Sequence, residues 1–332
     1  MAEMYKPAYK LTLGTTVVDS GQQQFPAPLV RIDLELDMGP AAPFLEAVIA
    51  RQEGFSLAAQ DPVKLELGYK DSGVEKVFEG AVDSLVETHE GIGVKALGTA
   101  ACLLDLRIFQ SYEKQSAGKI VKDLVRTGGL SPGEIDEGLE FPYYVVDDSR
   151  NVFEQIRILA DRCGFDLYQD ADNKIFFKEF SKTSGDHTFE YGVHILSLDI
   201  GSSLPAFGSV QVWGESPASS EGEDAAFWLT QTPADFMGEA GSDEPLYLVK
   251  DRSIRTKAAA DQSAAGILAL AERKAVRGTL RILGYSSVLP GDTVTVKSAP
   301  WESMNSTYQV RRVYHHLSRE QGFITSLGLI GI

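Results

Sequence analysis

The sequence predicts the α+β class, mainly β: two similar β-barrel domains flanking a small α/β module built from helix plus hairpin. Three observations support this. Alternating apolar and polar residues, the two-residue period of strands, dominate both ends of the chain. From about residue 106 to 182 that period gives way to apolar residues three and four apart, the mark of helices. One strand-turn-strand-turn-strand pattern also occurs twice: residues 63–67, 77–82 and 91–97 recur as 294–296, 308–313 and 322–327. Val63 and Val294, Val77 and Tyr308, and Gly91 and Gly322 share one offset of 231 residues. A unit repeated near each end implies two like barrels or sandwiches around the segment between them.

In chain order, residues 1–105 read as the first barrel domain. Residues 30–38 alternate without error: Val30, Ile32, Leu34, Leu36 and Met38 share one face, while Arg31, Asp33, Glu35 and Asp37 share the other. Such a strand has one core face and one wet, charged face. Residues 43–52 read as a short helix, with Phe44, Leu45, Val48 and Ile49 on one side and Gly54 as its stop. The first copy of the repeat follows.

Residues 106–182 read as the α/β module. Ser116 caps a helix whose Ile120, Val121, Leu124 and Val125 form an apolar stripe, and Gly128 and Gly129 end it. After an extended run at 141–146, Asp148 or Ser149 caps a second helix with Val152, Phe153, Ile156, Leu159 and Ala160 inward and Gly164 at its exit. A hairpin then pairs 165–168 with 174–177 through a turn at 170–173.

Residues 183–332 read as the second barrel domain, with strands at 195–200, 209–213 and 278–287, a helix at about 256–276, and the second copy of the repeat. Within it, the segment at about 216–249 carries Glu221, Glu223, Asp224, Asp235, Glu239, Asp243 and Glu244 without one Lys or Arg. It is too apolar for a plain linker. It reads as an insertion that docks on a partner through Phe227, Trp228 and Phe236.

A chain of 332 residues exceeds one core and implies two to four domains, and 43% hydrophobic residues suffice to build them. The formal charge of −16, from 31 basic and 47 acidic side chains, argues against a nucleic-acid or anionic-membrane partner. Cys102 and Cys163 have neither disulfide-framework nor zinc-site spacing and read as buried free thiols. Residues 1–9 lack a signal-peptide core, and nowhere do 18 consecutive apolar residues occur. The expectation is a soluble protein made in the cytoplasm without Sec export, with no membrane insertion.

No catalytic constellation emerges, and none of the usual nucleophile-elbow, zinc-helix, phosphate-loop or dinucleotide patterns is present. His89 falls in a turn, His187 and His194 lie near a strand start, and the adjacent His315 and His316 point to opposite faces of a strand, which makes them poor joint metal ligands. The pairs Asp147/Asp148 and Asp170/Asp172 could in principle serve acid-base hydrolysis. Cap and turn positions account for them without chemistry. The reading is no enzyme, no cofactor and no metal; its rival is a β-rich cell-wall hydrolase using an Asp/Glu pair, as tail-associated lysins do.

Residues 143–168, YYVVDDSRNVFEQIRILADRCGFDLY, followed by DNKIFF at 172–177, resemble the phage late control D family of contractile-tail baseplate hub proteins. That family is similar to the hub half of the valine-glycine-repeat spike protein of type VI secretion. LPGDTVTV at 289–296, YQVRRVYHHLS at 308–318 with GFIT at 322–325, and Leu67-Gly-Tyr69 with Val77-Phe-Glu-Gly80 resemble the family's barrel strands. The acidic 216–249 segment departs from the pattern as an insertion. Nothing after Ile332 forms a spike needle, so the expected spike is a separate protein.

The resemblance implies a homotrimer whose two tube-like barrels per subunit make six similar units in a ring. Such a ring adapts a hexameric tail-tube ring to a trimeric spike among other baseplate proteins, in a phage tail or a contractile injection system. Arg31, Asp33, Glu35 and Asp37 then face either the lumen or an inter-ring contact, or else form an ordinary solvent face.

Overall fold

The computed structural model describes residues 6–21, 29–50, 56–87, 89, 91–181, 186–215 and 236–332. Seven strands come first: β1 (Pro7–Leu13), β2 (Thr16–Asp19), β3 (Leu29–Asp37), β4 (Phe44–Ile49), β5 (Pro62–Tyr69), β6 (Gly73–Glu87) and β7 (Ile92–Gly98). β3 follows its alternation, with Ile32, Leu34 and Leu36 buried and the charged residues on the opposite face. The helix expected over 43–52 does not form. Phe44–Ile49 is a strand hydrogen-bonded between β3 and β7, with Leu45, Ala47 and Ile49 inward. The apolar spacing fits a helical turn locally, but Val48 and Ile49 are β-branched and both backbone edges find partner strands, so tertiary pairing overrides it.

The module contains α1 (Cys102–Asp105), β8 (Gln110–Ser116), α2 (Ala117–Thr127), β9 (Ser131–Ile135), β10 (Glu140–Val146), α3 (Val152–Cys163), β11 (Asp166–Gln169) and β12 (Lys174–Lys178). The Ser116 hydroxyl accepts from the Lys119 amide at 3.2 Å and so starts α2 where the sequence places it. α3 is capped by Asn151, not by Asp148 or Ser149. Asn151 Oδ1 accepts from the Glu154 amide at 2.8 Å, and Glu154 accepts in return from the Asn151 amide at 3.3 Å. That capping box satisfies two otherwise orphaned donors, while Asp147 and Ser149 close the preceding turn. Gly164 ends α3 in the left-handed region at φ 69°. β11 and β12 form the expected hairpin, and β9 joins β12 in parallel.

The chain continues through β13 (His187–Glu190), β14 (Ile195–Ser202), β15 (Ser209–Trp213), β16 (Met237–Gly241), β17 (Leu246–Lys250), α4 (Lys257–Arg273), β18 (Val276–Leu283), β19 (Thr293–Lys297), β20 (Thr307–Ser318) and β21 (Gly322–Ile330). β18 stops short of the predicted 287 because the Tyr285 amide donates to the Thr325 hydroxyl at 2.9 Å instead of continuing the ladder. Thr256 caps α4 by accepting from the Ala259 amide at 3.2 Å.

The largest sheet has the order β14-β18-β21-β20-β3-β4-β7-β6-β5-β1-β2, with β19 beside β20 and β13 beside β19. The class is α+β and mainly β, as the alternation predicts. Within the sheet the chain-ordered strands β3, β4, β5, β6, β7 are matched by β14, β18, β19, β20, β21. Each set is arranged 5-6-7-4-3 in the first set's numbering, with antiparallel neighbours throughout. The repeat is therefore five strands long rather than three, and residues 203–275 are inserted between the second copy's first two strands.

The register repeats as well. Ala81 faces Leu97 and Val82 faces Ala96; at the 231 offset, Arg312 faces Gly328 and Val313 faces Leu327. The first hairpin differs: Val63 faces Gly80, whereas Val294 faces Tyr308 rather than Arg311. The copies join directly, because β3 of the first pairs antiparallel with β20 of the second.

Both copies share one hydrophobic core, in which Leu34, Leu65, Phe78 and Val94 pack with Leu280, Val294, Val310 and Leu327. Each such side chain contributes roughly 1.5–3 kcal/mol by leaving water. A second core lies in the module, where Ile120, Leu124, Ile156 and Phe177 pack with Val210, Val212 and Ala260. It thus draws residues from β15 and α4 as well as from 106–182. A buried polar seam joins the cores: Arg311 Nη1 lies 2.8 Å from Asp166 Oδ1, Gln309 donates to the other Asp166 oxygen, and Arg273 donates to Gln309 Oε1 at 2.7 Å.

Candidate assembly surfaces

The four charged residues of β3 come together on one face, between β4 and β20. Arg31 pairs with Glu46 of β4 at 2.8 Å and lies 3.7 Å from Asp33. Across the other edge, Arg312 of β20 pairs with Glu35 at 2.9 Å and reaches Asp37 at 3.9 Å. Asp33 accepts from the Tyr314 phenol and lies 2.7 Å from His316 Nδ1. Burial first, and then the Asp33 carboxylate, push the Tyr314 phenol up to about 12. Asp33, Glu35 and Asp37 are half-buried and Arg31 is exposed, so this face is wet yet internally paired. Pairs of this exposure contribute at most about 1 kcal/mol each. Across strands they match opposite charges, Arg31 with Glu46 between β3 and β4 and Arg312 with Glu35 between β3 and β20, which favours the observed registers.

Phe227 and Trp228 lie outside the described residues. Phe236 is half-buried next to β16, where its carbonyl accepts from the Gly214 amide at 3.0 Å. It therefore helps close the β15–β16 ladder.

The acidic pairs serve turns. Asp147 Oδ1 accepts from the Ser149 amide at 2.9 Å, and Asp170 Oδ1 accepts from the Asp172 and Lys174 amides at 2.9 and 2.8 Å. Asp172 pairs with Lys76 at 2.7 Å. His187 lies 3.0 Å from Asp292, and His315 is buried, its Nδ1 3.0 Å from the Thr325 hydroxyl. Among the described residues no group of three His, Cys, Asp or Glu side chains has metal-ligating geometry. Cys163 is buried as expected, but Cys102 is exposed: it begins α1, where its thiol lies 3.4 Å from the Gly128 carbonyl. No described helix is long and apolar enough to cross a membrane.

Sequence reasoning missed two strand edges. β20 has β21 along one side; along the other it has β19 at 307–309 and β3 at 312–318. β6 has β7 along one side and β5 along the other up to Ala81, and beyond Val82 no described strand pairs with that second edge. β14 has β18 as its one strand partner, with a single isolated bridge from Ile195 to Tyr191 at its start, whereas its counterpart β3 has a strand on each side. These edges carry exposed apolar side chains: Leu85 at 38%, Val86 at 46% and Leu196 at 50%. The available signal was the adjacent apolar pairs Leu85-Val86 and Ile195-Leu196, which break the two-residue alternation.

No protein-family model matches the chain, and no curated protein matches it in sequence. Solved structures do. Over 98% of both chains it superposes on the 43 kDa tail protein of a Shewanella oneidensis prophage, with a TM-score of 0.72 and 13% identity. A tail protein from Neisseria meningitidis matches with a TM-score of 0.71 and 15% identity, covering 98% of this chain and 97% of that one. An Escherichia coli component of the type VI secretion system, itself described as structurally similar to bacteriophage tail proteins, matches with a TM-score of 0.56 and 11% identity over 97% of this chain and 77% of its own. The chain has the fold of these proteins from end to end.

Proposed function

We propose that the chain is a structural hub at the baseplate of a contractile phage tail or contractile injection system. In this reading it is a homotrimeric adaptor between a hexameric tail-tube ring and a trimeric spike carried by a separate protein. The observation that carries the reading is the five-strand unit present twice in one sheet. Three such chains offer six similar units to a sixfold ring while keeping threefold symmetry for the spike. The end-to-end fold shared with tail proteins supports the same conclusion. The role is assembly rather than catalysis; of the two acidic pairs singled out in the sequence, Asp147 and Asp170 accept turn amides. The paired charged face of β3 lines the wet side of the ring.

Mass photometry or sedimentation of the purified chain tests this reading. The predicted species is about 108 kDa, three times the 36.1 kDa chain, and it shifts to a larger complex when tail-tube rings are added. A stable monomer that binds no ring contradicts it.

A further inference from the structure

The two copies of the repeat are joined inside the chain by one contact that the chain makes only once. β3 of the first copy lies along the C-terminal half of β20 of the second, with Leu34 facing His315, Glu35 facing Tyr314 and Asp33 facing His316. The equivalent strands are β14 for β3 and β6 for β20. Among the described residues those equivalents have no strand on the corresponding edges. The chain thus has, at two places in its sheet, the two halves of a junction it already makes elsewhere. Edges left open with apolar residues invite pairing with another chain.

From these edges we infer that β14 of one chain pairs antiparallel with residues 84–87 of β6 in a second copy of this chain, repeating the intrachain β3–β20 junction. The inference rests on the trimeric reading above and supplies its interface. The correspondence fixes a register. On one side, β4 and β18 occupy matching positions, since Leu45 faces Ala96 while Leu280 faces Leu327. Through their partners, Leu34, Glu35 and Leu36 correspond to Leu198, Asp199 and Ile200. On the other side, β7 and β21 match Tyr314, His315 and His316 with Ser84, Leu85 and Val86.

The predicted pairs are therefore Leu85 with Leu198 of the partner subunit, Val86 with Ser197 of the partner subunit, and Ser84 with Asp199 of the partner subunit. Leu85 and Leu198 of the partner subunit meet on the side of the sheet where His315 and Leu34 are fully buried within one chain. That pairing removes from water the exposed Leu85 and the half-buried Leu198 and Ile200. Because the contact joins different surfaces of successive copies, it is head-to-tail and closes only as a ring. Every unit then has the same neighbours, whether the next unit belongs to its own chain or to the next one.

Cysteine cross-linking of the full chain tests the register, in a Cys102→Ser background to remove the exposed thiol. One variant carries Val86→Cys with Ser197→Cys, and a second carries Leu85→Cys with Leu198→Cys. Adjacent antiparallel pairs alternate between the wide hydrogen-bonded and the closer non-hydrogen-bonded geometry, so one of the two falls in each. A third variant, Val86→Cys with Gly201→Cys, places the thiols four residues out of register, roughly 13 Å along the strand, beyond disulfide reach.

After oxidation with copper phenanthroline in air, the first two variants are expected to run as covalent dimers and trimers on non-reducing gels. The third stays monomeric on the gel although its native mass is that of a trimer. A native trimer in which neither matched pair cross-links, or in which the mismatched pair cross-links equally, overturns the edge pairing and leaves the trimeric reading standing. A native monomer from the parent chain overturns both.

Discussion

His315 is a titratable ring held where water cannot reach it. Its imidazole is fully buried on β20, and burial pushes it from 6.5 down to about 3. A histidine depressed in the folded state favours folding while neutral. That contribution is complete above about pH 6.5 and is lost as pH falls toward 3, by up to about 1.4 kcal/mol per unit. Urea midpoints measured between neutral pH and about pH 4 should fall steeply for the parent chain and less steeply for His315→Asn, which keeps a hydrogen-bonding group near Thr325. Equal slopes would show that another group governs the acid limb. Gly164 makes a second residue-level prediction. Its φ is 69°, and a Cβ there would lie 2.5 Å from the backbone of Gly266 in α4. Gly164→Ala is expected to cost about 1–3 kcal/mol in denaturant unfolding, through left-handed strain and the forced separation of α3 from α4. The sequence showed Gly164 as a helix stop. It could not show the second glycine at 266 that makes the close approach.

The elements fall into two cores, and the seam between them depends on Asp166. That carboxylate is buried, with Arg311 and Gln309 of β20 as its partners, so Asp166→Ala leaves a mostly buried guanidinium uncompensated. The expected loss is about 2–4 kcal/mol. Lys64→Ala removes a half-buried, solvent-accessible pair with Glu66 of the same 2.8 Å length and should cost about 1 kcal/mol or less. Equal losses in chemical denaturation would show that the seam is no more than a surface contact. Local signals placed most elements correctly where one determinant dominates. Ser116 and its apolar stripe gave α2, and the alternation of residues 30–38 gave β3. They failed where partners distant in sequence decide. Phe44–Ile49 has helical spacing but lies between two strands. The cap of α3 was missed for a different reason, since its signal is local: Asn151 with Glu154 three residues on forms a reciprocal capping box that takes the place of the expected Asp148 or Ser149.

For the whole molecule, the 231-residue offset revealed three strands of a five-strand unit. The other two were hidden because residues 203–275 separate β14 from β18, where the first copy has only a short turn between β3 and β4. The charged face of β3 was readable as a face, but its partners Arg312, Tyr314 and His316 lie more than 270 residues away, and only the sheet brings them together. The adjacent apolar pairs Leu85-Val86 and Ile195-Leu196 marked the edges of β6 and β14, but their match to each other emerged only once the paired edges of β20 and β3 could be set against them. In the proposed trimer, a duplicated unit with matching open edges closes as a ring, with chain boundaries falling at every second junction. Electron-microscopic averages of the purified chain viewed down the particle axis test this most directly. The account predicts a closed ring of six similar sheet units with true threefold symmetry, three units each bearing the extra density of residues 203–275. An open filament, a twofold dimer or an isolated chain with both edges unpaired would contradict it.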